Sequence, residues 1–187
     1  FYPINQSQDL DEQSAAGQGF LPEVCQRWES EAQKVSSDKR LAIVRIGVVL
    51  GPEGGALAKL LPIFKLGLGG KVADGEQIMS WIHVDDLVKV FVTTAEHESM
   101  KGIYNAVSPY PVSNQKFSKS LGKALSRPAI FPVPSFAIKL AMGEMGTIVL
   151  DSQSISAKNL KTFGFDFQFP KIDQALKDLI QQTKQDK

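Results

Sequence analysis

Apolar positions along the chain alternate between two periods, and their order predicts strands and helices in turn. Leu21, Val24, Cys25, Trp28 and Ala32 recur at helical spacing, so residues 20–35 read as an amphipathic helix between a polar loop (10–19) and the polar stop Ser36, Ser37, Asp38 and Lys39. Residues 41–50 are instead a nearly unbroken, β-branched apolar run closed by Gly51 and Pro52. This is the pattern of a strand covered on both faces in a parallel sheet, interrupted only by Arg45. Gly54 and Gly55 open a helix over 56–66, which the glycines at 67, 69 and 70 stop. After a turn at Asp74 and Gly75, a short strand over 78–84 runs into Asp85 and Asp86. Their carboxylates suit the free N–H groups and positive dipole end of a helix that continues to about His97. A strand over 102–107 and a helix capped by Ser113 complete the third strand-then-helix unit.

Beyond Arg127 and Pro128 the pattern changes to an extended stretch (130–133) and helices near 135–142, 152–163 and 172–182, joined by Pro and Gly turns. The alternating order predicts an α/β fold with a partly parallel sheet, followed by a small, mostly helical cap subdomain.

Composition narrows the function. The 187 residues are 43% hydrophobic and 22% charged, an ordinary globular balance. With 21 Lys and Arg against 20 Asp and Glu, the net charge of +1 supplies no basic field for nucleic acid and no polybasic membrane anchor, so neither is expected as a partner. The apolar stretch 131–150 is broken by Lys139 and Glu144 and predicts no membrane span. A lone cysteine, Cys25, fits a reducing cytoplasm and reads as a packed core thiol; with only two histidines in the chain, no metal site is expected. The chain starts on Phe1, and its polar opening stretch (5–19) resembles an internal loop, so the sequence reads as lacking its beginning.

Two familiar signatures are missing. No G-x-G-x-x-G follows a first strand, and Gly51 to Gly55 has the wrong spacing and a Pro in place of a donor, so it reads as a turn. Nor is there a G-x-S-x-G nucleophile elbow. His83, ahead of Asp85 and Asp86, is open to two readings: an acid/base or metal role, or a hydrogen-bonded structural imidazole.

The motifs at 45–52, 73–87 and 102–107, taken in order, resemble the second half of an extended short-chain dehydrogenase/reductase of the NAD(P)-dependent epimerase/dehydratase family. More narrowly, residues 20–29, 54–62, 66–70, 80–86 and 108–114 resemble its "epimerase family protein" branch, and 127–129, 133–134, 142–144 and 164–167 resemble that branch's small C-terminal domain. The resemblance implies the C-terminal part of a Rossmann-like, doubly wound parallel sheet. Residues 1–126 would be the remainder of the NAD(P)-binding domain with its substrate-domain insertions, and 127–187 the small C-terminal domain. It implies NAD or NADP, bound mostly by an N-terminal half absent here, a small-molecule substrate, an oxidoreductase or epimerase-like activity, and a homodimer of the kind common in the superfamily.

Carried over residue by residue, the resemblance departs from the family at the chemistry. Aligned on Glu29, the family's catalytic Tyr and Lys fall on Leu21 and Cys25, leaving Tyr2 as the nearest substitute acid, unless it is packed with its hydroxyl bonded. The loop after the 41–49 strand would pass the nicotinamide, which makes Ile46 and Gly47 candidate cofactor contacts. Arg45 is either a ligand contact or half of a structural ion pair. Gly47 and Val48 stand where the family often has a substrate-binding Asn, and Met79 and Ser80 where sugar-nucleotide members have Arg and Asp, which argues against a nucleotide-diphosphate sugar. Val48, Met79, Trp81, His83 and Asn105 are the candidate substrate contacts; for Met79 and Trp81 the competing role is core packing, for Asn105 a turn-fixing amide. Two further readings compete with an enzyme: a cofactor-binding but catalytically silent regulator of the same fold, and a stand-alone scaffold domain.

Overall fold

The computed structural model describes residues 1–4, 9–35, 38–133 and 151–185. The expected helix at 135–142 and the 142–144 motif lie outside them. The elements in chain order are α1 (Phe20–Ala32), β1 (Ala42–Ile46), β2 (Val48–Leu50), α2 (Gly55–Lys65), β3 (Ile78–Met79), β4 (Trp81–His83), α3 (Val84–Glu96), β5 (Gly102–Ala106), β6 (Val112–Ser113), α4 (Asn114–Leu125), α5 (Lys158–Phe163) and α6 (Ile172–Gln185). This is the α/β class. β1 pairs with β5 and β2 with β4, both parallel, while β3 pairs antiparallel with β6.

The strand expected over 41–50 divides at Gly47. The Gly47 amide donates to the Ala106 carbonyl of β5, whereas the next amide, of Val48, donates to Ser80 beside β4, so the chain changes neighbours within one residue. A side chain cannot follow that change: a Cβ at position 47 would lie 2.6 Å from Val107 Cγ1 and 2.8 Å from the Ser80 oxygen. Gly47→Ala is therefore expected to lose about 1–3 kcal/mol, read as a lower urea midpoint with an unchanged slope.

The strand expected over 78–84 divides likewise at Ser80, whose hydroxyl donates to the Gln153 carbonyl and accepts from the Ile155 amide. The same segment shortens the helix expected at 152–163 to α5. Residues 153, 154 and 156 hydrogen-bond through their backbone to Ile78 and Leu10, and the Ile155 amide to Ser80, in place of a helical turn.

Two apolar clusters fill the interior. One gathers Tyr2, Ile82, Val90, Met100 and Tyr104 with Leu160 of α5. The other packs Leu50, Trp81, Leu57 and Leu61 of α2, Phe117 and Leu121 of α4, and Leu176 and Leu179 of α6. α1 joins neither. None of its residues is buried, Phe20, Leu21 and Trp28 are 79%, 58% and 71% exposed, and Cys25 is half-buried rather than a core thiol. Among the described residues, no helix is long and apolar enough to cross a membrane.

Candidate functional site

The polar centre of the molecule is built on Arg45. β1 and β5 run in register with Arg45 opposite Asn105, which sets a guanidinium beside an amide within an apolar sheet. Such a charge needs a partner, and α1 provides it: Arg45 Nε and Nη2 donate to the two Glu29 carboxylate oxygens at 2.7 and 2.8 Å. Nη1 donates to the Tyr2 hydroxyl at 2.8 Å and to the Glu12 carbonyl, and the Phe1 ring covers the guanidinium at 3.4 Å. Burial works against the Arg45 charge, but the bonds to Glu29 and Tyr2 outweigh it and raise its pKa.

Tyr2 passes the chain of bonds on. Its hydroxyl donates to Asn105 Oδ1 at 2.7 Å, and the Asn105 amide nitrogen donates to the Ser156 carbonyl. Glu12 closes the network, one oxygen accepting the backbone N–H groups of Asn105 and Asn159.

These placements revise three candidates. Tyr2 is 3% exposed and both hydrogen-bonding capacities of its hydroxyl are used inside the protein; burial, against the opposing pull of Arg45, pushes its pKa up. It braces the start of the chain rather than presenting an acid to a cleft. Asn105 is wholly buried between Tyr2 and Ser156 and faces no substrate space. Arg45 takes the ion-pair alternative.

The other candidates divide in two. Ile46, 49% exposed, Gly47 and Val48 stand together at the carboxyl end of β1, where open α/β sheets present ligand crevices. Trp81 and His83 are both fully buried, Trp81 donating its indole N–H to the Tyr110 carbonyl, so neither lines a cleft; Met79 is half-buried against the second cluster. His83 is the N-cap of α3, its Nδ1 accepting the Asp85 amide at 3.1 Å. This corrects the expectation that Asp85 and Asp86 cap the helix. Asp86 turns away and accepts the backbone N–H groups of Gln168 and Phe169 instead.

Glu29, Glu12 and Phe1 join this network without being candidates from the sequence, where Glu29 serves only to align the helix. The signal was available for Glu29: an Arg within an apolar strand requires a nearby carboxylate, and Glu29 sits four residues past Cys25 on the same helical face.

The described residues fit only part of a dinucleotide. At the carboxyl end of β1, Ile46 and Gly47 can lie against a nicotinamide. Among the described residues, β1 has one ladder partner, β5, and α1 leaves an uncovered apolar face. For a pyrophosphate, the glycine-flanked start of α2 follows Pro52, and its first positions carry no acidic or basic side chain.

Residues 24–106 match the NAD dependent epimerase/dehydratase family, and residues 133–179 match a domain of unknown function, DUF1731. An Arabidopsis thaliana protein, "Epimerase family protein SDR39U1 homolog, chloroplastic", is 41% identical over 181 residues, covering 97% of this chain and 52% of its own length. The crystal structure of human epimerase family protein SDR39U1 (isoform 2) with NADPH superposes with a TM-score of 0.90 at 32% identity, over 96% of this chain and 62% of that one. The chain is thus similar to the NAD-dependent epimerase/dehydratase family. A nucleoside-diphosphate sugar epimerase from Corynebacterium glutamicum is also similar, at 31% identity and a TM-score of 0.73, over 92% of this chain and 34% of that one. The chain spans 52% to 62% of the length of these SDR39U1 relatives, and the Rossmann-like family fold accounts for the parallel β1–β5 and β2–β4 pairs.

Proposed function

We propose that this chain is the substrate-side portion of an NAD(P)-dependent, epimerase-like oxidoreductase that acts on a small molecule. The observation that carries the reading is the similarity to the human SDR39U1 structure with NADPH. On this reading Ile46 and Gly47 contact the nicotinamide edge, and the remainder of the cofactor site belongs to the family portion this chain does not span. That portion lies against the free edge of β1 and the apolar face of α1, where Phe20, Leu21 and Trp28 are exposed. Val48 and Met79 are the substrate contacts that keep access, and uncharged Met79 and Ser80 favour a substrate without a nucleotide diphosphate. The family's Tyr and Lys positions hold Leu21 and Cys25, so α1 does not supply a proton in the reaction. The assembly is a homodimer in the cytoplasm, the compartment that the unpaired Cys25 fits.

The test is NADPH titration of the protein extended to its relatives' full length, followed by a panel of small carbonyl and hydroxyl compounds. Full-length protein is expected to bind NADPH with a stability gain of about 2.7 kcal/mol at a hundredfold excess over Kd, and residues 1–187 alone at least tenfold more weakly. Hydride loss with a member of the panel supports the enzyme. Binding without any turnover assigns the silent regulator instead, and no binding by the full-length protein overturns both.

A further inference from the structure

His83 sits where three parts of the fold meet. It ends β4, caps α3, and faces α6 through Asp178, whose Oδ2 lies 3.3 Å from Nε2. Its ring stacks on Phe169 with centroids 4.0 Å apart, and Phe169 is itself held by Asp86 through its backbone N–H. The ring is wholly buried.

The bonding fixes the tautomer. Because Nδ1 accepts the Asp85 amide, the neutral ring carries its proton on Nε2, toward Asp178. Neither nitrogen then has a lone pair free, which argues against a metal among His83, Asp85 and Asp178. Yet among the described residues Nε2 completes no hydrogen bond of good geometry. A second proton changes what each side of the ring can do. Nδ1–H and the Asp85 amide become two donors 3.1 Å apart, which cannot both stay, while both ring nitrogens gain an attraction to carboxylates, Asp178 at 3.3 Å and Asp85 Oδ2 at 3.7 Å.

We propose that the β4–α3 junction is a proton-operated latch, in which protonated His83 gives up its cap on α3 in exchange for ion pairs with Asp178 and Asp85. The titratable groups facing the ring are Asp85 and Asp86 from α3 and Asp178 from α6; Phe169, on the connecting segment, and Leu50, paired with His83 from β2, are uncharged. Because the ring is stacked on Phe169, its shift loosens the 168–169 segment that Asp86 holds, and with it the approach to α6.

The direction of the pH effect follows from burial, which lowers the His83 pKa against the opposing pull of the three aspartates. The unfolded chain takes up the proton first, near the ordinary value of about 6.5. The neutral latch therefore contributes fully above that value and loses stability as pH falls from there toward the lower folded value.

Ring ¹⁵N NMR together with amide hydrogen exchange on the full chain between pH 7.5 and 4.5 tests the proposal. The expected result is an Nε2–H tautomer at pH 7.5, then protonation of the ring accompanied by a protection loss of about fivefold or more at the Asp85, Gln168 and Phe169 amides, the size of a lost helix cap. His83→Asn, whose side-chain oxygen can still cap, should keep the Asp85 amide protected throughout. Asp178→Asn should move the transition to lower pH, since it removes an attracting charge. A ring that stays neutral to pH 4.5, one that protonates with Asp85 protection unchanged, or the same loss in His83→Asn overturns the latch.

Discussion

Arg45→Met should destabilise the protein by about 3–5 kcal/mol, the cost of leaving the largely covered Glu29 carboxylate without its partner. The Arg45 and Glu29 side chains are only 10% and 13% exposed, so solvent screens little of what is lost. The substitution removes both bonds to Glu29, the donor to the Tyr2 hydroxyl and the cation beneath the Phe1 ring. At about 2–4 °C per kcal/mol for a domain of this size, the melting temperature should fall by roughly 6–20 °C. Arg45→Lys should recover only part, because an ammonium cannot make the bidentate pair. The double variant Arg45→Met/Glu29→Leu should regain most of the loss, since it strands no charge. Urea unfolding of the four proteins reads the series. A single-variant loss below about 1 kcal/mol would show that the pair behaves as a surface bridge and does not fasten α1 to the sheet.

How far such features can be read in advance depends on what enforces them. Helical period located α2, α3, α4 and α6 to within a few residues, since each buries a stripe set by its own sequence. It located α1 equally well and misjudged its surroundings: the spacing of Val24, Cys25 and Trp28 shows that a face is apolar, not that anything covers it. Strand divisions at Gly47 and Ser80 were illegible because they arise from a change of neighbour, set by β4, β5 and residues 153–155 far along the chain. The same cause hid the N-cap. Locally Asp85 is a better cap than His83, but Asp86 is claimed by the backbone at 168–169 and the imidazole is placed to take the Asp85 amide. Of the candidate site, Ile46, Gly47 and Val48 were named through the family resemblance, inside a strand expected to run unbroken to 50, whereas the Tyr2–Asn105–Glu12 network joins residues 2, 12 and 105 and left no local trace.

Trp81→Ala is the second large effect, an expected loss of about 3–5 kcal/mol through cavity formation. The indole is fully buried among Leu50, Leu57 and Phe117, and its N–H satisfies the Tyr110 carbonyl at 3.1 Å, so truncation leaves both a void and an unpaired acceptor. Trp81→Phe separates the two terms, keeping most of the volume while losing the hydrogen bond, and should cost nearer 1–2 kcal/mol. The series also decides between packing and substrate contact. A cleft-lining aromatic would weaken ligand binding in the full-length protein and leave the urea midpoint nearly unchanged, whereas a core indole lowers the midpoint first. Position favours the second outcome, because Trp81 pairs with Val48 across β2 and β4, and its loss loosens the pair that carries both the Gly47 strand break and His83.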